Sequence, residues 1–333
     1  MWSASYDVLI VGAGVAGSAL AHALSSAAVA RGRPLRVCLL ERSMAEPDRI
    51  VGELLQPGGM MALKKLGLED CVEGIDAIPT YGYCVMLGGQ PVHIPYPDGH
   101  EGRSFHHGRF IQALRAKAKA AERVEVVEAT VSELIECPLT GRVLGVRATR
   151  KEEGAVEKEA FFADLTVVAD GCFSNFRSQV MGKAAIQPEL KGHFVGLVLE
   201  DAQLPIPKHG TVMLIDGFGL VLSYQIGTHD TRILVDVKHP VPSDLKVSAF
   251  VFVCAAPSCP VLTPRTRATL YKTSSPDCPL PFTSPPKRPS RTTGYDGCPT
   301  RCCQPRSRAS RRKRGCSSSA TRGTCVIRSR AAV

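Results

Sequence analysis

The opening forty residues restrict this chain more than anything that follows them. Val8-Leu9-Ile10-Val11 is a short apolar run of β-forming residues, and Gly12-Ala13-Gly14-Val15-Ala16-Gly17 follows at once. Ser18 to Ala30 is rich in Ala and Leu, contains neither Pro nor Gly, and is predicted to be helical. Arg36-Val37-Cys38-Leu39-Leu40 is predicted as a second strand and runs into Glu41. Strand, G-x-G-x-x-G, helix, strand and acid, in that order, predict a dinucleotide-binding unit. Gly12 permits the tight turn, Gly14 lets backbone approach a pyrophosphate, and Gly17 lets the helix pack closely on the strand. The pyrophosphate is expected on the helix N-terminus at Val15 and Ala16, where unpaired N–H groups and the dipole favour an anion. Glu41, 24 residues after Gly17, is placed to hold ribose hydroxyls, which favours FAD or NAD over NADP. The stretch from Val8 to Ala30 is nearly charge-free, and a hydropathy window alone would read it as a membrane span. The glycine spacing explains it better.

A second stretch separates flavin from nicotinamide. Leu165 to Ala169 is an apolar strand ending in Asp170-Gly171, with Ser174 and Arg177 just beyond. This resembles the second fingerprint of flavoprotein aromatic hydroxylases and their relatives. The segment from Glu46 to Gly59, which contains Arg49, Leu54, Gln56 and a Pro-Gly-Gly, is too irregular for a plain helix. Here the sequence resembles the squalene monooxygenases (squalene epoxidases), in a eukaryotic, fungal-like form. Further matching stretches are Tyr81-Gly-Tyr83, Ile94-Pro-Tyr-Pro97, Ser104 to Ile111, Thr166 to Phe176, His193 to Gly196 and Arg232 to Asp236. They run in family order from residue 6 to about 246.

The resemblance implies FAD, squalene, molecular oxygen, and electrons from NADPH delivered by a separate NADPH-cytochrome P450 reductase. The implied product is 2,3-oxidosqualene, the entry to sterols, with oxygen passed to the alkene from a flavin C4a-hydroperoxide. By motif match, Glu41 and Arg42 sit at the adenosine end, Arg49, Leu54, Arg115 and Val131 line the flavin, and Asp170 and Gly171 form the second fingerprint. Gln56 and Tyr83 match the family's paired polar residues beside the substrate. The cofactor does the difficult chemistry, so no acid–base pair is required and an apolar pocket is expected. No metal is expected: adjacent His106 and His107 diverge on helix or strand, and no zinc spacing or Ser-His-Asp set is evident. The resemblance also implies membrane association at the cytosolic face of the endoplasmic reticulum, although the chain shows no convincing span and no evident signal peptide.

Composition matters chiefly because it is uneven. The 333 residues carry a net charge of +10. Residues 247–333 hold 16 of the Lys and Arg against only Asp277 and Asp296, together with 8 of the 13 cysteines and 11 of the 24 prolines. Residues 1–246 are therefore mildly acidic, and their five cysteines are widely spaced, as expected of reduced, mostly buried thiols. From Val247 no helical or strand period is sustained. Arg311-Arg-Lys-Arg314 reads as a nuclear or RNA-binding patch, or as a solvated tail. A shift of frame explains more. Read one base upstream, Gly315 to Val333 can encode VLLLGDAWNMRHPLTGGG, the family's C-terminal flavin motif, and Thr292 to Arg301 can encode DRLRRMPNS. Val247-Ser248 can be encoded with a splice-donor pattern. A retained intron followed by a frameshift is thus expected, with no nucleic-acid partner, and the chain as written is expected to bind FAD poorly and to be inactive.

The expected fold is α/β: a Rossmann-like FAD-binding domain interleaved with a smaller β-sheet substrate domain, then a disordered tail. Residues 1–60, 105–135 and 160–185 are assigned to the FAD part, 61–104 and 186–246 to the substrate part, and 247–333 to the tail. Two alternatives stay open: another FAD-dependent aromatic hydroxylase, or a non-catalytic binding protein with a basic tail.

Overall fold

The computed structural model describes residues 5–151, 157–186, 192–215, 219–238 and, as backbone, 267–270. In chain order the elements are β1 (Ser5–Val11), α1 (Val15–Ala30), β2 (Val37–Glu41), β3 (Leu54–Leu55), α2 (Pro57–Leu66), β4 (Ile78–Thr80), β5 (Gly82–Leu87), β6 (Gln90–Pro95), β7 (Gly102–Ser104), α3 (His107–Ala120), β8 (Val124–Glu136), β9 (Val143–Arg150), β10 (Glu159–Val168), α4 (Arg177–Met181), β11 (Gly192–Glu200), β12 (Gly210–Ile215), β13 (Gly219–Gln225), β14 (Asp230–Lys238) and β15 (Arg267–Leu270). The described residues divide into two units, one from 5–46 and 111–186, the other from 47–110 and the described part of 187–302.

In the first unit β1 runs parallel to both β2 and β10, and β2 runs parallel to β8. The antiparallel β9 links β8 to β10, so the strand order closes on itself as β1-β10-β9-β8-β2. A strand with parallel neighbours on both sides is covered on both faces, which is why Val8-Leu9-Ile10-Val11 is apolar without alternation. Leu9 and Val11 enter a core with Cys38, Leu40, Val127, Phe161 and Phe176. Val8 and Ile10 enter another with Ala21, Val37, Leu39, Ala118 and Val167. The charge-free stretch is thereby accounted for as strand, turn and a packed 16-residue helix. No helix among the described residues is long and apolar enough to cross a membrane.

The second unit holds a seven-stranded sheet in the order β15-β11-β14-β13-β12-β5-β6, antiparallel throughout except where β12 and β5 run parallel, and a small sheet β3-β7-β4. One face of the large sheet packs Cys84, Met86, Leu197, Leu199, Met213, Val221, Ile233 and Val235 into a core.

The α/β architecture with a β-sheet partner unit is the one read from sequence, but two details differ. Residues 47–60 and 105–110 pack in the second unit, because β3 pairs with β7 and Glu53 is ion-paired to Arg232 on β14. Also, Arg267–Leu270 is not loose tail: it pairs antiparallel with β11 from Leu197 to Glu200. Four residues give too short a period to mark a strand, and this one is specified by the open edge it joins. The rest of 247–333, where the disordered and out-of-frame tail is expected, lies outside the described residues.

Candidate functional site

The glycine turn between β1 and α1 is built as its spacing requires. Gly12 sits at φ +102, and a Cβ there would lie 2.6 Å from the Ala169 carbonyl oxygen. A Cβ on Gly17 would lie 1.8 Å from the Gly12 carbonyl oxygen, so only glycine lets α1 approach the strand this closely. Gly14, by contrast, faces open space on the side a Cβ would occupy, with nothing within 4 Å. It is the N-cap of α1 and supplies no side-chain cap to the first turn. The turn therefore offers unpaired N–H groups at Val15 and Ala16 beside an open flank, which fits the pyrophosphate of a dinucleotide.

The same turn brings the two fingerprints together. The Ala169 N–H donates to the Val11 carbonyl at 2.8 Å, which extends the β1–β10 register into the loops. Asp170 then lies against Gly12, its Cα 3.0 Å from where a Gly12 Cβ would be, and Gly171 turns away at φ +82. Arg177 steadies the bend by donating to the Cys172 carbonyl at 2.5 Å.

Glu41 ends β2 beneath the turn. Its carboxylate accepts from the Ala13 N–H at 2.7 Å and the Ser43 N–H at 3.3 Å. Arg115 of α3 braces the same loop: Nε donates to the Ala13 carbonyl at 2.9 Å, Nη1 to the Ala45 carbonyl at 3.0 Å, and Nη2 lies 3.6 Å from Glu41. Burial pulls the Arg115 pKa down, while Glu41 and Glu128 oppose that shift. Its contacts with two backbone carbonyls and the Glu41 carboxylate brace the glycine loop. Arg42 is exposed beside Glu41. Val131 sits at a β8 irregularity, partly buried against the core that contains Leu9 and Phe161.

Arg49, Leu54, Gln56 and Tyr83 all belong to the second unit. Arg49 is exposed, and Leu54 packs against Val198, Tyr224, Ile226 and Leu234. Gln56, the N-cap of α2, donates its side-chain N–H to the Tyr83 hydroxyl in a short hydrogen bond. The Tyr96 ring meets Tyr83 edge-on, with centroids 5.8 Å apart and planes at 85°. Burial raises the Tyr96 pKa, and the neighbouring Tyr83 adds to the shift.

Sheet register puts a band of apolar residues on the Tyr83 face. Ile94 pairs with Tyr83, Val92 and Val212 with Val85, and Leu214 with Leu87. Leu87 is 62 % exposed, Val92 56 %, Ile94 48 % and Leu214 46 %. Exposed apolar side chains that share one sheet face offer a surface suited to an apolar partner.

Beneath Leu54 and Gln56 is a feature the sequence did not disclose. Glu53, 1 % exposed, accepts from Arg232 in a bidentate pair, Nε at 2.7 Å and Nη2 at 2.8 Å, and from the Tyr224 hydroxyl at 3.4 Å. Burial would lower the Arg232 pKa, but the hydrogen bond and charge of Glu53 outweigh it and raise it. The partners are 179 residues apart, so no local pattern could reveal them. Among the described residues no cluster of three or more metal-ligating side chains occurs.

Comparison with known proteins places these features in a family. A family model described as FAD binding domain matches residues 5–216, and one described as squalene epoxidase matches residues 162–275. The second match, like β15, continues past Lys246, where the sequence reading ended the likeness. Squalene epoxidase erg1 of Aspergillus fumigatus is 51 % identical over 246 residues, covering 71 % of this chain and 48 % of its own. Squalene epoxidase ERG1 of Gibberella zeae is 44 % identical, covering 69 % of this chain and 49 % of its own. Squalene epoxidase 1 of Arabidopsis thaliana is 45 % identical, covering 76 % and 46 %. The chain thus spans about half the length of these relatives. Among solved structures, the chondrochloren halogenase CndH aligns with a TM-score of 0.63 at 19 % identity, covering 80 % of this chain and 64 % of its own. The p-nitrophenol 4-monooxygenase PnpA aligns with a TM-score of 0.60 at 16 % identity, covering 80 % and 66 %. These two likenesses bear on the fold alone.

Proposed function

Because the chain belongs to the FAD-binding family matched over residues 5–216, and within it to the squalene epoxidases, we propose that it serves the epoxidation of squalene to 2,3-oxidosqualene. The observation that carries this reading is the exposed apolar strip on the Tyr83 face, with the Gln56–Tyr83 hydrogen bond near one end. A hydrocarbon substrate offers nothing to hydrogen-bond, so its site needs apolar area, exclusion of water and little else.

The division of labour follows from the residues. Gly12, Gly14, Val15, Ala16 and Gly17 receive the pyrophosphate, and Glu41 with Arg42 takes the adenosine end. Asp170 and Gly171 close the turn beside Gly12, and Arg115 holds the loop in shape. FAD, when bound, supplies the redox chemistry that activates oxygen. Ile94, Val92, Leu87 and Leu214 bind the chain of the substrate. Gln56 and Tyr83 orient each other at the end of that strip and fix the alkene's approach, while Arg49, Leu54, Arg115 and Val131 line the flavin. None of these groups needs to transfer a proton. Electrons come from NADPH through NADPH-cytochrome P450 reductase, and the reaction belongs at the cytosolic face of the endoplasmic reticulum membrane, in sterol and specifically ergosterol synthesis.

Activity is assigned to the polypeptide whose C-terminal part is read one base upstream, with GDAWNMRHPLTGGG in place of the basic tail. Sequencing the transcript across codons 240–333, then assaying the encoded protein with squalene, FAD, NADPH and reductase, tests both parts. A spliced, shifted frame and 2,3-oxidosqualene as product support the proposal. A transcript that encodes Arg311 to Val333 as written refutes the frame assignment, and flavin-loaded protein that forms no epoxide refutes the activity.

A further inference from the structure

We propose that His93 and His209 form a two-imidazole site for a divalent transition-metal ion of the copper(II) and nickel(II) class. The two Nε2 atoms face each other at 2.9 Å, and the rings meet at 71° with centroids 4.7 Å apart. Two rings joined end to end through collinear nitrogens would have their centroids farther apart, so the two lone-pair axes are bent. Nitrogens about 2.0–2.1 Å from one ion lie about 2.9 Å apart in cis positions of a square or octahedral shell, and about 3.4 Å apart in a tetrahedral one. The observed spacing matches the first.

The protonation pattern is suited to ligation. His209 Nδ1 is 2.8 Å from the Pro207 carbonyl, which can only accept, so Nδ1 carries the proton and Nε2 presents a lone pair. A backbone carbonyl on the far nitrogen is the usual outer partner of a ligating imidazole. Without metal, the His93 Nε2–H donates to His209 Nε2. To bind metal, His93 moves that proton to its own Nδ1, and neither imidazole loses or gains a proton overall.

The surroundings favour this site over a mere surface pair. His209 is 8 % exposed and held by its carbonyl, whereas His93 lies on the exposed edge strand β6, so the pair is fixed on one side and open to solvent on the other. His93 pairs in register with Cys84, on the face of β5 opposite to Tyr83, so the pair is separate from the Gln56–Tyr83 site. No third ligating side chain joins the cluster among the described residues, so water completes the shell. A bound ion would tie edge strand β6 to the start of β12 across β5, and it does so whether or not the proposed epoxidase activity holds.

Copper(II)–iminodiacetate tests the proposal, because the chelator leaves two cis positions for imidazoles and shields the metal from thiols. The full chain is titrated with the complex, and spin-echo modulation counts imidazoles per copper. The expected result is one complex per chain with two imidazoles, and affinity at least about tenfold weaker in His93→Ala, with one imidazole lost. His93 is exposed, so that variant should keep the wild-type circular dichroism spectrum. His209→Ala serves as a second variant and should lose affinity to the same extent. Equal affinity in wild type and His93→Ala, a single imidazole per copper, or no uptake at millimolar complex would each overturn the proposal.

Discussion

Replacing Glu53 by Gln removes the charge that Arg232 was buried to meet, while preserving shape. The two side chains are 1 % and 3 % exposed, so water cannot take over the lost interaction. Gln also presents an NH2 group where Glu53 presents an acceptor, so one arm of the bidentate pair becomes donor against donor. Breaking a buried ion pair by neutralising one partner costs about 3–5 kcal/mol, most of it from the charge left behind. That corresponds to a fall in melting temperature of about 10 °C or more for a unit of this size. The pair as a whole contributes far less than this, because both ions were desolvated to form it. Glu53→Leu combined with Arg232→Met should therefore recover most of the loss. Urea unfolding followed by circular dichroism measures both variants. Glu53→Gln within about 1 kcal/mol of wild type, or a double variant no better than the single one, would refute the reasoning.

In the polypeptide whose C-terminal part is read one base upstream, the two glycines of the turn should separate packing from binding. Gly17→Ala drives a Cβ to 1.8 Å from the Gly12 carbonyl oxygen and should destabilise the unit and abolish flavin uptake, whereas Gly14→Ala meets nothing within 4 Å and should unfold within about 0.5 kcal/mol of wild type while still weakening flavin binding, as read by fluorescence titration. On the sheet face, Leu87→Ser and Val92→Ser should leave unfolding nearly unchanged but weaken squalene binding about tenfold each, since these half-exposed side chains have about 1–2 kcal/mol of burial left to gain. The Asp76 carboxyl is held below its usual range, chiefly by the Thr228 hydroxyl. Its depressed value means that its stabilisation is present above the ordinary carboxylate range and is lost as pH falls through the folded value. Thr228→Val should raise the Asp76 titration midpoint, measured by NMR, and flatten stability across the acid limb.

What could be read from sequence was what is local. Val8 to Glu41 carries strand, turn, helix, strand and acid within one βαβ unit, and Gly12 and Gly17 each sit where a Cβ would meet backbone. Asp170-Gly171 was equally legible, because a strand end followed by Asp-Gly is a short-range signal. The small sheet was not: Leu54–Leu55 and Ile78–Thr80 are too short to show a period, and they exist only because β7 lies between them. That residues 47–60 pack in the second unit is equally non-local, since Glu53 takes its partner from a strand 179 residues away. Arg267–Leu270 is a strand by virtue of the edge it meets. Gln56 and Tyr83 are picked out by family likeness alone, and the hydrogen bond between them is seen only in the structure, where the N-cap of α2 meets the start of β5. Tyr96 lies within the family-like stretch Ile94 to Pro97, but its place beside Tyr83 depends on the β5–β6 register.

The most direct test of the central claim is the fate of molecular oxygen. The polypeptide encoded by the spliced transcript is loaded with FAD, supplied with NADPH, reductase and squalene, and exposed to ¹⁸O2. The account expects 2,3-oxidosqualene carrying one ¹⁸O atom, with NADPH consumed in step with the epoxide. Flavin-loaded protein that oxidises NADPH and releases all of the oxygen as hydrogen peroxide, with squalene untouched, would contradict it.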